Sequence, residues 1–361
     1  MSAPLHVGLV YGGHSSEHDV SIASARNVFA ALDRGRFRVT PLYIDPDGRW
    51  HVETAERSRL ADGASGAGGD ARPAMFAPMQ AECSVFAGGD ALAALDLDVA
   101  FPMLHGQNGE DGRVQGFFQT LGIPFVGPDA LGSAVCMDKE VAKRLLEHAG
   151  LPVTPYRTVR RGGDAPSFEA LTGALGTPLF VKPANSGSSV GVTKVERADE
   201  LEAALALAFA YDRKALVETA ITGREIECAV LGNEAPEASA PGEVVSTAQF
   251  YTYDAKYEDP DASRMEVPAD LPAETAEQIR DLAVRAFVAL GCEGMARVDF
   301  FVTADGGVLL NEVNTIPGFT SRSMYPVMWE RSGLPLPDLL GRLVDLALER
   351  HARDAAVKTT R

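Results

Sequence analysis

The most constraining stretch of the chain is ARVDFFVTADGGVLLNEVN, residues 296–314, because it sets both a secondary structure and a register. Asp305-Gly306 is the dipeptide favoured by a two-residue type I′ turn, whose central positions both need positive φ. Strands at 296–302 and 307–314 then pair with Asp299 opposite Glu312 and Arg297 opposite Asn314. Strand side chains alternate with a period of two, so these four share one face. Val298, Phe300, Val302, Leu309, Asn311 and Val313 occupy the other, which is mostly core. Two directly opposed carboxylates repel unless a cation lies between them. A hard divalent ion such as Mg²⁺ meets that need with one or two protein carboxylates and the phosphates of a nucleotide. So does a solvated strand face on which Arg297 neutralises both acids. A one-residue bulge at Gly307 would change the register locally.

Upstream, residues 5–11 (LHVGLVY) form a short apolar run ending at Gly12-Gly13, the pattern of a buried parallel strand feeding a loop. A helix carrying Val20, Ala23, Val28, Phe29 and Leu32, a strand at 37–44 and another at 97–104 follow. This alternation predicts an open, mainly parallel α/β layer over residues 1–135. Residues 55–93, rich in Ala and Gly, read as a mobile surface insertion with no assignable chemistry. Asp138 is placed to cap a helix with Val141, Leu145, Leu146 and Ala149 on one face, closed by Gly150 and Pro152. Strands at 179–183, 191–195, 215–219 and 225–231 around a helix at 198–210 describe an α+β unit over 136–231. A third unit, 232–361, holds helices at 272–290 and 337–350 and a polar, aromatic stretch at 249–265. That stretch is long enough to read as a lid.

The chain's 361 residues suffice for two or three compact units. Its 33 basic against 50 acidic residues leave a formal charge of −17, which repels nucleic acid and anionic membrane. Four scattered cysteines, with no C-x-x-C pair, exclude a zinc ribbon and a disulfide framework and fit a reducing compartment. The N-terminus lacks a signal-peptide pattern and no apolar run approaches about 20 residues, so the expectation is a cytoplasmic protein.

Three further segments carry candidate chemistry. KPANSGSSVGV at 182–192 follows a short apolar strand. Its small residues let backbone N–H groups face phosphate oxygens while Lys182 adds a point charge. The pattern is not Walker A, and an ordinary turn is the alternative. His14-Ser-Ser-Glu17-His18 matches H-x-x-E-H, an inverted zincin signature that needs both histidines on one helix face. Gly12-Gly13 after a strand makes 14–17 a loop leading into a helix, and the segment departs from G-x-G-x-x-G as well. His105 opens HGQNGEDG at the C-terminal end of a strand, where open α/β sheets place ligands.

Together and in order, YGGHSSEHDVS, LHGQNGEDG, MDKEVAKRLL, KPANSGSSVGV, LVETAITGREIECAVL, DAKYEDP, ARVDFF and NEVNTIPGFTSRSMYP resemble the D-alanine:D-alanine ligases of the ATP-grasp superfamily. The resemblance covers nearly the whole chain and explains 55–93 least. It implies an N-terminal α/β domain followed by two α+β subdomains that clasp ATP, with 249–265 as the lid. It implies ligation of two D-alanines through a D-alanyl phosphate for peptidoglycan synthesis, in a cytoplasmic homodimer. Lys139, Lys182 and Ser189 would contact phosphates, and Glu218 and Glu225 the adenine amino and ribose hydroxyl regions. Asp299, Glu312 and Asn314 would hold Mg²⁺ or Mn²⁺, with Glu312 able to bridge two ions. Glu17 would receive the first substrate's ammonium, with Ser188 and Tyr257 as its hydrogen-bonded partners and His105 beside it. Arg297 and the Gly318 N–H match the oxyanion site, Ser323 and Met324 the second substrate's carboxylate, and Lys256 a lid contact to phosphate. Tyr257 fits the dipeptide-forming pattern, with a D-alanyl-D-lactate ligase as the near alternative and a zinc hydrolase using His14 and His18 as the distant one. Ser186 stands where many relatives have Glu, which implies altered local hydrogen bonding.

Overall fold

A computed structural model of the protein describes residues 3–61, 71–79, 82–87, 93–246 and 263–358. Three sheets organise them. The first has seven strands: β1 (Leu5–Gly12), β2 (Phe37–Ile44), β3 (Trp50–Val52), β4 (Arg72–Met79), β5 (Glu82–Ala87), β6 (Ala93–Leu95) and β7 (Val99–Met103). In space they run β6-β5-β4-β3-β2-β1-β7. β1 pairs in parallel with β2 and with β7, and α1 (His18–Ala31) makes the crossover between β1 and β2. The β2–β3, β3–β4, β4–β5 and β5–β6 pairs are antiparallel. The link from Ile44 to Trp50 is too short for the dozen or more residues of a parallel crossover. The layer expected to be mainly parallel is therefore mixed. The stretch expected to be a loose insertion over 55–93 supplies β4, β5 and β6. Phe76 on β4 sits edge-on to Trp50 and to Phe117, 4.9 Å from each ring centroid, an aromatic anchor that outweighs the weak strand propensity around it.

Helices α2 (Arg113–Leu121), α3 (Ala130–Met137) and α4 (Lys139–His148) lead to the second sheet. Asp138 caps α4 as expected, accepting from Val141 N–H at 3.2 Å. The second sheet is antiparallel, in the order β10-β9-β11-β8: β8 (Tyr156–Arg160), β9 (Leu179–Pro183), β10 (Thr193–Val195) and β11 (Lys214–Thr219). It packs against α5 (Phe168–Leu175) and α6 (Ala198–Tyr211).

The third sheet holds β12 (Gly223–Gly232), β13 (Glu237–Ala238), β14 (Gly242–Ser246), β15 (Ser263–Glu266), β16 (Gly294–Thr303) and β17 (Val308–Asn314), backed by α7 (Ala273–Ala289). β12 pairs with β16 from Gly223↔Thr303 to Gly232↔Gly294, so the strand expected at 225–231 belongs to this sheet. The chain closes with α8 (Met324–Arg331) and α9 (Leu336–Ala355).

One apolar core runs from the first sheet to the last helix, packing Val7, Leu9 and Phe101 with Met295, Tyr325, Leu343 and Val344. Buried Arg350 of α9 donates to the carbonyl oxygens of Gly127 and, at 2.8 Å, Phe125. Among the described residues no helix is long and apolar enough to cross a membrane.

Candidate active site

β16 and β17 set Asp299 opposite Glu312 and Arg297 opposite Asn314, as the pattern predicts, but by a different route. The connection is the three-residue loop Ala304-Asp305-Gly306, closed by Gly306 N–H to Thr303 O and Thr303 N–H to Gly307 O, both at 2.9 Å. One left-handed residue suffices for it, Gly306 at φ 84°, where the expected two-residue turn needs two. Near the loop the partners are Val302↔Val308 and Phe301↔Leu309, and the register shifts between Asp299 and Phe300. The additional residue is Asn311, so the bulge lies there and not at Gly307. It restores the pairing of the two carboxylates. It also moves Asn311 off the apolar face to the side of Glu312, with its amide oxygen 3.5 Å from Lys182 Nζ. Leu310, 1% exposed, takes the core position expected for Leu309.

Two adjoining cavities meet at this hairpin. One of about 270 Å³ is lined by Lys139, Lys182, Ser189, Glu218, Glu225 and Asp299. The other, of about 750 Å³, is lined by Glu17, His105, Arg297, Asn314, Gly318 and Ser323, with Met324. Lys139, Ser188 and Glu312 line both. The Gly/Ser loop enters them through Ser188 and Ser189, at φ 48° and 59°, strained values for residues other than glycine. Ser186 donates its hydroxyl to Val190 O at 3.1 Å, and its own carbonyl accepts from Lys139 Nζ at 2.7 Å.

The Ser188 hydroxyl donates to Glu17, which stands just before α1. Gly106, at φ 73°, leaves this carboxylate room: a Cβ there would lie 2.4 Å from Glu17 Oε2. His105 is enclosed, with Nδ1 3.0 Å from Ile316 O and Nε2 3.0 Å from Ser24 Oγ. Burial alone would lower the imidazole pKa, but the Glu110 carboxylate at 3.5 Å, with Glu17 nearby, outweighs it and raises the value. Ser24 Oγ also accepts from Phe319 N–H at 3.2 Å, tying α1 to the loop that carries Gly318. Ser323 Oγ accepts from Thr320 N–H at 3.0 Å. Lys256 and Tyr257 lie outside the described residues.

The carboxylates are held by cations from different elements. Arg297 grips Asp299 through Nε and Nη2, each at 2.7 Å, and lies 3.0 Å from Glu227. Burial works against the guanidinium's charge, yet Asp299 and Glu227 overcome it and raise its pKa. Glu312 pairs with Lys139 at 3.2 Å, which likewise outweighs burial and raises the lysine. Neutralisation is thus shared between Arg297 and Lys139 instead of falling to Arg297 alone. Asn314 Oδ1 accepts from Ile316 N–H at 3.0 Å. Two carboxylates and an amide oxygen on one strand pair form a hard, all-oxygen donor set that suits Mg²⁺-type ions.

The H-x-x-E-H segment is arranged differently from a zincin. α1 starts at His18, leaving His14 in the preceding loop. The His14 ring faces Pro46 O, and His18 Nδ1 lies 2.7 Å from Gly13 O. The two imidazoles therefore do not share a helix face, and among the described residues no three His, Cys, Asp or Glu side chains gather as a metal cluster.

Sequence reasoning missed Asn311, Glu227, Lys143 and Lys214. Lys214 joins Asp138 and Glu140, with Nζ 2.8 Å from Glu140 Oε2, and so braces the start of α4. Lys143 reaches Glu218. Lys139 and Lys143 are four residues apart on α4 and share a face, a spacing that could have found the second from the first.

Comparison with known proteins follows the same lines. A family model described as D-ala D-ala ligase N-terminus matches residues 6–128, and one described as D-ala D-ala ligase C-terminus matches 145–345. The chain is 49% identical over 363 residues to D-alanine--D-alanine ligase A of Salmonella typhimurium, covering 99% of this chain and 100% of that protein. The D-alanine-D-alanine ligase structure from Coxiella burnetii superposes with a TM-score of 0.88 at 39% identity, covering 98% of this chain and 97% of that one. The VanG D-Ala:D-Ser ligase of Enterococcus faecalis gives 0.85 at 37% identity, covering 96% of this chain and 100% of that one.

Proposed function

Because the chain belongs to the D-alanine–D-alanine ligase family, and joins two D-alanines for peptidoglycan synthesis using ATP and a divalent metal ion, we propose a division of labour among its residues. The observation that carries it is the position of Glu312 where the two cavities meet, with Lys139 beside it. The smaller cavity takes ATP, with Lys139, Lys182 and Ser189 on the phosphates and Glu218 and Glu225 toward the adenine and ribose. Asp299, Glu312 and Asn314 would hold the divalent ion, Mg²⁺ or Mn²⁺, with two ions as the expected number. When bound, the metal offsets charge on the transferring phosphoryl group.

The larger cavity takes both amino acids. Glu17, held by Ser188 and joined by Tyr257, receives the first substrate's ammonium beside His105. A carboxylate is a poor electrophile, so the γ-phosphoryl group activates it as an acyl phosphate. Ser323 and Met324 place the second substrate's carboxylate so that its amine faces the acyl carbon. Arg297 and the Gly318 N–H then stabilise the tetrahedral oxyanion. Lys256 closes with the lid at 249–265 and excludes water that would hydrolyse the acyl phosphate. The units 1–135, 136–231 and 232–361 act as substrate domain and two ATP-clasping subdomains, in a cytoplasmic homodimer.

The test is phosphate release from ATP and Mg²⁺ with D-alanine, L-alanine, or D-alanine plus D-lactate or D-serine, with mass spectrometry of products. The expected result is D-alanyl-D-alanine from the D-isomer alone. A dominant depsipeptide or D-alanyl-D-serine would reassign the second-substrate site around Ser323. A second measurement concerns stability: ATP with Mg²⁺ at about 100 times its Kd should add about 2.7 kcal/mol, a rise of a few degrees in melting temperature. No rise would count against the nucleotide and metal assignments.

A further inference from the structure

We propose that Lys143 is a positioning residue for ATP: it is the standby cation of Glu218, keeping that buried carboxylate paired when Lys182 leaves it for a phosphate oxygen. The inference rests on the nucleotide assignment above.

Glu218, 4% exposed, sits between two lysines from different elements. Its Oε2 is 2.7 Å from Lys182 Nζ on β9, and its Oε1 is 3.2 Å from Lys143 Nζ on α4. The two lysines are not equivalent. Lys182 lines the 270 Å³ cavity and has a second contact in Asn311. Lys143, 1% exposed, lines neither cavity, and its ammonium is further held by Thr154 O at 3.3 Å. Lys182 is therefore the lysine able to turn toward a phosphate, and Lys143 the one that stays.

A carboxylate this buried cannot lose its last cation without a large penalty. With Lys143 in place, Lys182 can be shared with the nucleotide. Without it, Glu218 retains Lys182, and ATP must compete for the lysine. Lys143 thus acts on ATP through Glu218 and touches no reacting atom.

The titration of the group gives a second handle. Burial pushes the Lys143 ammonium down to about 8, against the pull of Glu218. The charged and titratable groups facing it are Glu218 from β11, Lys182 from β9, Glu312 from β17 and Tyr156 from β8. Bound phosphates favour its charged form, so wild-type affinity for ATP should weaken as pH rises past about 8. Lys143→Met should lack that dependence.

The experiment measures the Kd of Mg²⁺-ATP by calorimetry and the ATP KM and kcat of the full chain. Lys143→Met should raise Kd and KM roughly 100-fold, the order seen when one partner of a buried pair is removed, with kcat at saturating ATP changed far less. Lys143→Arg should recover most of the loss. In a Glu218→Gln background, where no carboxylate needs a standby cation, Lys143→Met should cost less than about threefold. Should the Met variant not fold, Lys143→Gln repeats the comparison. An unchanged Kd for the single variant, or a full loss in the Glu218→Gln background, overturns the inference. Lys182→Met distinguishes the two levels: wild-type ATP binding in that variant removes the nucleotide assignment and the inference with it, whereas lost binding there beside an unchanged Lys143→Met removes the inference alone.

Discussion

Glu312→Gln is expected to lower turnover by about 10³-fold or more while leaving the melting temperature within a few degrees of wild type. The kinetic half follows from position. Glu312 faces both cavities, and its carboxylate is the group that opposes Asp299 across the hairpin. Metal-assisted stabilisation of a transferring phosphoryl group amounts to several kcal/mol, and each 1.36 kcal/mol is about tenfold in rate. The amide keeps the shape but removes the charge proposed to hold a divalent ion. The stability half follows from exposure. The Glu312 side chain is 32% exposed, so its pairing with Lys139 at 3.2 Å is screened and contributes little to folding. Lys139 moreover keeps its bond to Ser186 O at 2.7 Å. Steady-state phosphate release and a thermal melt check both halves, and near-wild-type turnover would sink the metal assignment.

Arg297→Met should differ by damaging rate and stability together. In the oxyanion role proposed for it, loss of Arg297 should cost about 10²–10³ in kcat. It is also the cation shared by Asp299 and Glu227, whose side chains are each 15% exposed. Removing one partner of a buried pair costs about 3–5 kcal/mol, so the variant should unfold at clearly lower urea concentration. Arg297→Lys restores the charge but not the two-pronged grip on Asp299, and should recover more stability than activity. An Arg297→Met variant that turns over within tenfold of wild type would show that the oxyanion is stabilised by other donors.

The hairpin shows how far sequence reading reaches and where it stops. The opposition of Asp299 to Glu312 was legible because a DG loop between alternating strands leaves few registers. The loop was misjudged by one residue, and the bulge at Asn311 offset the difference. Nothing local announces such a bulge, so Asn311 was assigned to the wrong face. Lys143 escaped for another reason. A lysine on an amphipathic helix reads as solvated: its spacing from Lys139 gives the shared face, but its burial depends on Glu218 arriving from β11, a long-range pairing. The strands in 55–93 were hidden by Ala- and Gly-rich composition, because the aromatic contacts that hold Phe76 come from Trp50 and Phe117.

The core shared by the first sheet and α9 gives the chain a timetable. Val7, Leu9 and Phe101 are covered in part by Leu343, Val344 and Ala347. Those partners leave the ribosome only after more than two hundred further residues have been made following Phe101. At about 5–20 residues per second, that is an interval of roughly 10–50 s. Throughout it the first sheet, already packed by Ala25 and Val28 of α1 and by Leu32 at its end, waits with the rest of that apolar face uncovered until α9 arrives.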